Sequence, residues 1–149
     1  MRRLLVFFLL LAAACASSSG ARPSDVARPD IHVRQAGSIV FDSGSHAPVT
    51  IDVHITNNAT VPLRVREIEV SSPYPPGMML HDIRRKAQTF NETIAPGESR
   101  PLRLVAAVVS RSTQTPSSGP LGIMAKIRFE ANGRGFMEVV LERFEGVGG

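Results

Sequence analysis

No tryptophan occurs in this chain, and cysteine and tyrosine occur once each, as Cys15 and Tyr74. A single cysteine excludes an internal disulfide, so no framework of bridges supports the fold. With so few aromatics, the core must rest on valine, isoleucine, leucine, methionine and seven phenylalanines. Strong charge of either sign is also missing. Setting Arg2 and Arg3 aside from the 17 basic residues leaves 15 against 13 acidic ones. That balance lacks the basic excess of a nucleic-acid binder. The chain has no phosphate-cradling glycine loop, dinucleotide fingerprint or Gly-x-Ser-x-Gly elbow. No carboxylate pair suited to glycoside chemistry stands out, because Asp52, Glu67 and Glu69 fall at solvent-facing or bulge positions in the pattern below. The longest apolar run, residues 4–14, has 11 residues, whereas a membrane span takes about 20.

That run follows Arg2 and Arg3 and ends in small residues, which is the pattern of a secretory signal. Two cleavage sites compete. Ala14-Cys15-Ala16 fits the small-x-small rule and would give a soluble product starting at Ser17. Leu11-Ala12-Ala13-Ala14-Cys15 resembles the bacterial lipobox, with Ala12 where leucine is usual and Leu11 one place further back. The resemblance implies cleavage before Cys15 and lipid on its sulfur and amine. Cys15 has no cysteine to pair with, and it precedes a Ser/Gly tether, as a lipoprotein needs. Residues 1–14 are then a signal peptide and Cys15 a lipidation site. Residues 15–30, rich in Ser, Gly and Pro, read as a flexible tether of about 20 Å. The expected location is the bacterial envelope, with acyl chains such as palmitate in the outer membrane and the domain facing the periplasm. Without the lipid it would be periplasmic or secreted.

From Ile31 the pattern has period two. The clearest strand carries Val49, Ile51, Val53 and Ile55 on one face, with Thr50, Asp52, His54 and Thr56 on the other. Short β stretches are expected around Ile31 to Arg34 and Ser38 to Phe41. Asn57 and Asn58 begin a turn, since asparagine bonds its own backbone. Leu63 and Val65 share one parity, and Ile68 and Val70 the other. A bulge near Arg66 and Glu67 reconciles them by adding one residue. Residues 71–77 are a proline-rich break. Residues 78–82 could form a short strand. Residues 82–90 are ambiguous, with Ile83, Ala87 and Phe90 at helical spacing. Ala95-Pro96-Gly97-Glu98 is a tight turn before an apolar strand from Leu102, and 111–120 is a polar loop.

In the last hairpin, Leu121, Ile123, Ala125, Ile127 and Phe129 should face the core, and so should Met137, Val139 and Leu141. Asn132-Gly133 suggests a two-residue turn, but that register would set Ile127 opposite Glu138. Burial fixes register, so the spacing predicts a loop of odd length, Asn132, Gly133 and Arg134. It also predicts Gly133 or Gly135 at positive φ. About seven short strands in one domain, residues 31–145, predict an all-β, immunoglobulin-like antiparallel β-sandwich.

Three stretches in order resemble the LEA14/WHy-type family of Ig-like domains. The first is the alternating strand that ends in asparagine, Val49-Thr50-Ile51-Asp52-Val53-His54-Ile55-Thr56-Asn57-Asn58. The second is Leu63-Arg64-Val65-Arg66-Glu67-Ile68-Glu69-Val70. The third is the turn Ile94-Ala95-Pro96-Gly97-Glu98 and the strand from Leu102. The family's turn usually reads Asn-Pro-Asn, and here it is Asn57-Asn58-Ala59. The resemblance implies a non-catalytic role, in stress protection or as a structural module of envelope proteins.

Site candidates are few. Met79 and His81 would share a face of a strand and, with His54, could hold copper. A core methionine beside an exposed histidine is the plainer reading, and no cofactor is expected. Ser43-Gly44-Ser45-His46 reads as a turn. Asn58-Ala59-Thr60 and Asn91-Glu92-Thr93 match the N-glycosylation pattern, which has no bearing in a bacterial lipoprotein. Arg84-Arg85-Lys86 is the one dense basic cluster: a solvated face, or a contact for anionic lipid or polymer. The leading expectation is a membrane-anchored, non-enzymatic module that binds another envelope protein through an edge strand or through loops 71–77 and 111–120. The alternative is a periplasmic copper binder.

Overall fold

The computed structural model describes residues 20–41, 45–111 and 119–147. Cys15 and the signal lie outside the described residues. Among the described residues eight strands form: β1 (Asp30–Ala36), β2 (His46–Thr56), β3 (Leu63–Ser71), β4 (His81–Ile83), β5 (Lys86–Ile94), β6 (Ser99–Ser110), β7 (Gly119–Ala131) and β8 (Arg134–Val147). They build two antiparallel sheets, β1-β2-β6-β4 and β5-β3-β7-β8. The protein is an Ig-like β-sandwich.

The alternating strands meet as their pattern demands. Val49, Ile51, Val53 and Ile55 of β2 and Leu102, Leu104, Ala106 and Val108 of β6 are buried from one sheet. Leu63, Val65, Ile68 and Val70 of β3 and the odd-numbered apolar residues of β7 are buried from the other. The register of β3 shifts between Val65 and Glu67 against both neighbours. Against β7, Arg66 is the extra residue that lets both apolar pairs point inward; against β5, the extra residue lies on β5, where Phe90 and Asn91 face Arg66.

Asn57 is completely buried where β2 ends. Its Nδ2 donates to the carbonyls of Val61 and Ile94, both at 2.9 Å, and its Oδ1 accepts from the Ala59 N–H at 2.9 Å. The Gly97 N–H donates to its carbonyl at 2.8 Å. Gly97 has φ 75° and follows Pro96, and the Glu98 N–H bonds the Ala95 carbonyl. This is a type II turn, with proline and glycine where that turn requires them. One asparagine thus ties together the ends of β2 and β5 and the starts of β3 and β6.

Four expectations need correction. The last hairpin turns on two residues, not three: Ala131 pairs with Arg134, Phe129 with Phe136 and Ile127 with Glu138. Asn132 (φ 50°) and Gly133 (φ 72°) both adopt left-handed conformations, the type I′ geometry that matches strand twist. Phe136 therefore faces the core and stacks on Phe129 with centroids 5.2 Å apart. Val139 and Leu141 point outward and are exposed, and Met137 shares their face.

The tether, which composition extends to residue 30, is not free over its whole length. From Gly20 onward it is packed against the sandwich. Gly20 bridges to Phe136, and Val26 has no exposed surface. Arg22 and Arg28 meet the carboxylate of Glu138 at 3.3 and 3.2 Å, and Arg134 meets Asp25 at 2.6 Å. Glu138, out of place by pattern, is what this segment docks on.

The third is the ambiguous stretch 82–90, which holds two strands on different sheets, with the crossover at Arg84 and Arg85. That raises the count from seven to eight. Fourth, residues 38–41 form no strand of their own, although Ile39 is fully buried.

Candidate functional site

β4 is only three residues long, yet all three are buried. It pairs with the end of β6, His81 with Ser110 and Asp82 with Val109. Before it, Pro75 and Pro76 end any continuation of β3, because proline cannot donate to a ladder. Gly77 has φ 96°, and the Met78 N–H bonds the Pro75 carbonyl at 3.2 Å, a second type II turn. Asp82 pins it: Oδ2 accepts from the Gly77 N–H and from Arg111 Nε, each at 3.2 Å. Ser72 Oγ accepts the Ile83 N–H at 2.8 Å. The 71–77 loop is therefore held by the start of β4 and the end of β6.

Between these parts lies an open cleft of about 340 Å³, lined by Ser72, Tyr74, Asp82, Arg84, Arg85 and Arg111 among others. The three arginines come from separate stretches. Arg84 and Arg85 form the crossover between sheets, and the Arg84 N–H is fixed to the Ala107 carbonyl at 2.8 Å. Arg111 is held at the end of β6 by its own N–H bond to the Leu80 carbonyl at 3.0 Å. Arg111 pairs with Asp82 at 3.2 Å and Arg85 with Glu69 at 2.5 Å. Arg84 has no ion-pair partner among the described residues.

Glu69 is buried on the outer side of β3, and Lys126 approaches it at 3.6 Å. Burial pushes its carboxyl up, but the hydrogen bond and charge of Arg85, with the charge of Lys126, outweigh this. They hold it below the ordinary value. A second, smaller cleft of about 250 Å³ lies beside the first and shares Tyr74 with it. Pro73, Met79, Gly122 and Leu141 line it.

The copper candidates do not converge. His81 is buried in β4 and stacks on Phe41 at 5.7 Å. Met79 precedes the strand and lines the outer cleft. His54 lies on the outer face of β2, opposite His32 of β1. No group of three or more histidine, cysteine or acidic side chains is placed to hold a metal among the described residues. Ser45 and His46 share an exposed hydrogen bond of 3.2 Å at the start of β2.

The cleft gathers what the sequence separates. Loop 71–77, Arg84, Arg85 and Arg111 were legible as loop and charge, but not as neighbours. Asp82, the residue that joins them, carried no distinctive signal, because its role depends on the short pairing of β4 with β6. Of the 111–120 loop, residues 112–118 lie outside the described residues.

No family model matches this chain, and no curated protein matches it in sequence. Solved structures do resemble it. A structural-genomics protein, target SoR45 of the Northeast consortium, is 8% identical over 79% of this chain and 85% of its own, with a TM-score of 0.54. A protein from Archaeoglobus fulgidus is 14% identical over 80% of this chain and 96% of its own, with a TM-score of 0.51. Both share the all-β fold, and at these identities the likeness speaks to the fold alone.

Proposed function

We propose that the protein is a non-enzymatic recognition module of the bacterial envelope, of the LEA14/WHy type and anchored by lipid at Cys15. It binds an acidic segment of another envelope protein at the arginine-lined cleft. The observation that carries this is the convergence of Arg84, Arg85 and Arg111 on one cleft, with Arg84 free of an acidic partner among the described residues. Guanidinium groups on a stiff frame suit carboxylates, which they can engage with two parallel hydrogen bonds. Asp82 Oδ2 and Ser72 Oγ are already occupied in holding the loop, and Asp82 Oδ1 is buried. The family resemblance draws support from Asn57, where the alternating strand ends and is knotted to the Pro-Gly turn.

The fold also supports a direction. The chain reaches the sandwich at Gly20, beside Phe136, at the Asn57 end. The cleft lies toward the other end: Ser71 of its lining pairs with Met124 and Pro73 packs on Gly122, five to seven residues along β7 from Phe129, which pairs with Phe136, so the two are roughly 20 Å apart. A lipid on Cys15, five residues before Gly20, leaves at most about 18 Å of chain. The cleft then faces away from the bilayer, toward a protein partner.

Two measurements test this. Intact mass and membrane fractionation compare wild type with Cys15→Ser; lipid mass and membrane retention in wild type alone are expected. Titration with a glutamate-rich octapeptide, followed by amide NMR shifts, is expected to move signals of 71–77, Arg84 and Arg111. A lysine-rich octapeptide should move none. Soluble wild type starting at Ser17 would overturn the anchor, and equal response to both peptides would overturn the acidic ligand.

A further inference from the structure

The cleft continues into an open sheet edge. β5 starts at Lys86, directly after Arg85, and has β3 on one side only. Of its nine residues only Ile94 is buried. In such a strand every second residue turns its N–H and C=O away from the partner, toward solvent.

The other edges differ. β4 offers three residues, and β1 lies at the far side of its sheet from β4 and the cleft. β8 carries the 20–29 segment, through the bridge from Gly20 to Phe136 and the ion pair of Arg22 with Glu138. β5 is the edge that is both open and next to the arginines.

The usable part of that edge is short. Glu67 pairs with Thr89 but Val65 pairs with Glu92, so Phe90 and Asn91 stand against the single residue Arg66. A bulge of this kind bends the strand and interrupts regular pairing. Regular edge therefore runs from Lys86 to Thr89.

We infer that the partner adds to this sheet as a short extended strand, antiparallel to Lys86, Ala87, Gln88 and Thr89, with its acidic C-terminal end seated among Arg84, Arg85 and Arg111. The direction follows from the fold. Every strand pair in the sheet is antiparallel, and an antiparallel addition brings the C-terminal end of the segment to the start of β5. Backbone pairing then supplies affinity and the guanidinium groups supply selectivity. Lys86 adds a further cation beside the same end.

This inference rests on the acidic-ligand reading of the cleft, and the test separates the two. The probe is the acetylated, amidated hexapeptide Thr-Val-Thr-Val-Glu-Glu, titrated into the mature chain by calorimetry. Its reversed sequence, Glu-Glu-Val-Thr-Val-Thr, is expected to bind about tenfold more weakly. Two further versions carry backbone N-methyl groups on alternate residues, one set on odd positions and one on even. Strand addition predicts that one set weakens binding by about tenfold or more while the other stays within about twofold, because only one set faces β5. Arg84→Glu, at an exposed position, is expected to weaken the parent peptide about tenfold. Two methylated sets that bind like the parent overturn strand addition, and the cleft reading survives if Arg84→Glu still weakens binding. An Arg84→Glu chain that binds like wild type overturns the cleft reading as well. No binding of the parent peptide at millimolar concentration overturns the strand proposal.

Discussion

Glu138 lies directly opposite Ile127 across the β7–β8 ladder, on the side of the sheet that faces the core. The carboxylate is tolerated there because Arg22 and Arg28 reach it from the N-terminal segment while Val26 is buried beside them. Removing both arginines while keeping the acid leaves a buried charge without a counter-charge. The double variant Arg22→Gln, Arg28→Gln should lose about 2 kcal/mol, less than for a fully buried pair because both guanidiniums are partly exposed. Glu138→Gln, which removes the charge itself, should lose about 1 kcal/mol. Urea unfolding at neutral pH checks the order. A double variant as stable as wild type would mean that the segment does not bear on the stability of β8.

The buried Asn57 side chain makes three hydrogen bonds to backbone groups, two in the loop after β2 and one at the end of β5. Asn57→Ala strands the Val61 and Ile94 carbonyls and the Ala59 N–H together, and the expected loss is about 3 kcal/mol. Asn57→Asp keeps the acceptor for Ala59 but sets a carboxylate against two carbonyls, so it should be no better. Hydrogen exchange should show the loss first in the amides of Gly97 and Ala59. If those amides stay protected in Asn57→Ala, the knot is not what holds this end.

Glu69 gives the fold a pH dependence of known sign. Arg85 and Lys126 hold its carboxyl below the ordinary value of 4.5 despite burial. A carboxyl that titrates lower in the folded chain binds protons more readily when unfolded. Its stabilisation is therefore complete above about pH 5 and is lost as pH falls through the folded value. Glu69→Gln should be less stable than wild type by about 1 kcal/mol at pH 7, since Arg85 is largely exposed and screened. The gap should narrow as pH falls below the ordinary glutamate value and close once the folded carboxyl is protonated. Urea midpoints measured from pH 7 to pH 3 decide it, and a gap that stays constant with pH would assign the effect to shape rather than charge.

What could be read in advance follows from which residues carry a one-sided pattern. β2 was legible because its inward and outward residues differ in kind, and the bulge at Arg66 because parity breaks there by one. β5 was not, because it is a largely exposed edge strand in which only Phe90 and Ile94 pack on the core, too few to show a period of two. Ala87 and Phe90 of β5, with Ile83 of β4, instead imitate a helix. The hairpin register failed on one residue. Pattern alone assigns Glu138 to solvent, and the two arginines that reverse this lie more than a hundred residues earlier in the chain. The cleft was visible only in parts, since the meeting of Arg84 with Arg111 depends on β4 pairing across to β6.

A lipid at Cys15 would also orient the sandwich, and that orientation separates two uses of the basic cluster. Thr60 lies in the loop after Asn57, at the end where the chain arrives, and Pro76 lies in the turn beside the cleft. In the lipidated chain the sulfur of Cys15 is occupied, so Thr60→Cys and Pro76→Cys each offer one free thiol for a fluorophore. Bound to vesicles that carry a headgroup quencher, the probe at 60 should be quenched strongly. The probe at 76, roughly 20 Å further along the strands, should be quenched weakly. Adding anionic lipid should change neither, because electrostatic attraction fades within about 10 Å of the surface at ordinary ionic strength. The reverse order, with quenching at 76 that grows with anionic lipid, would turn Arg84, Arg85 and Lys86 toward the bilayer and make the cleft a membrane contact instead of a protein one.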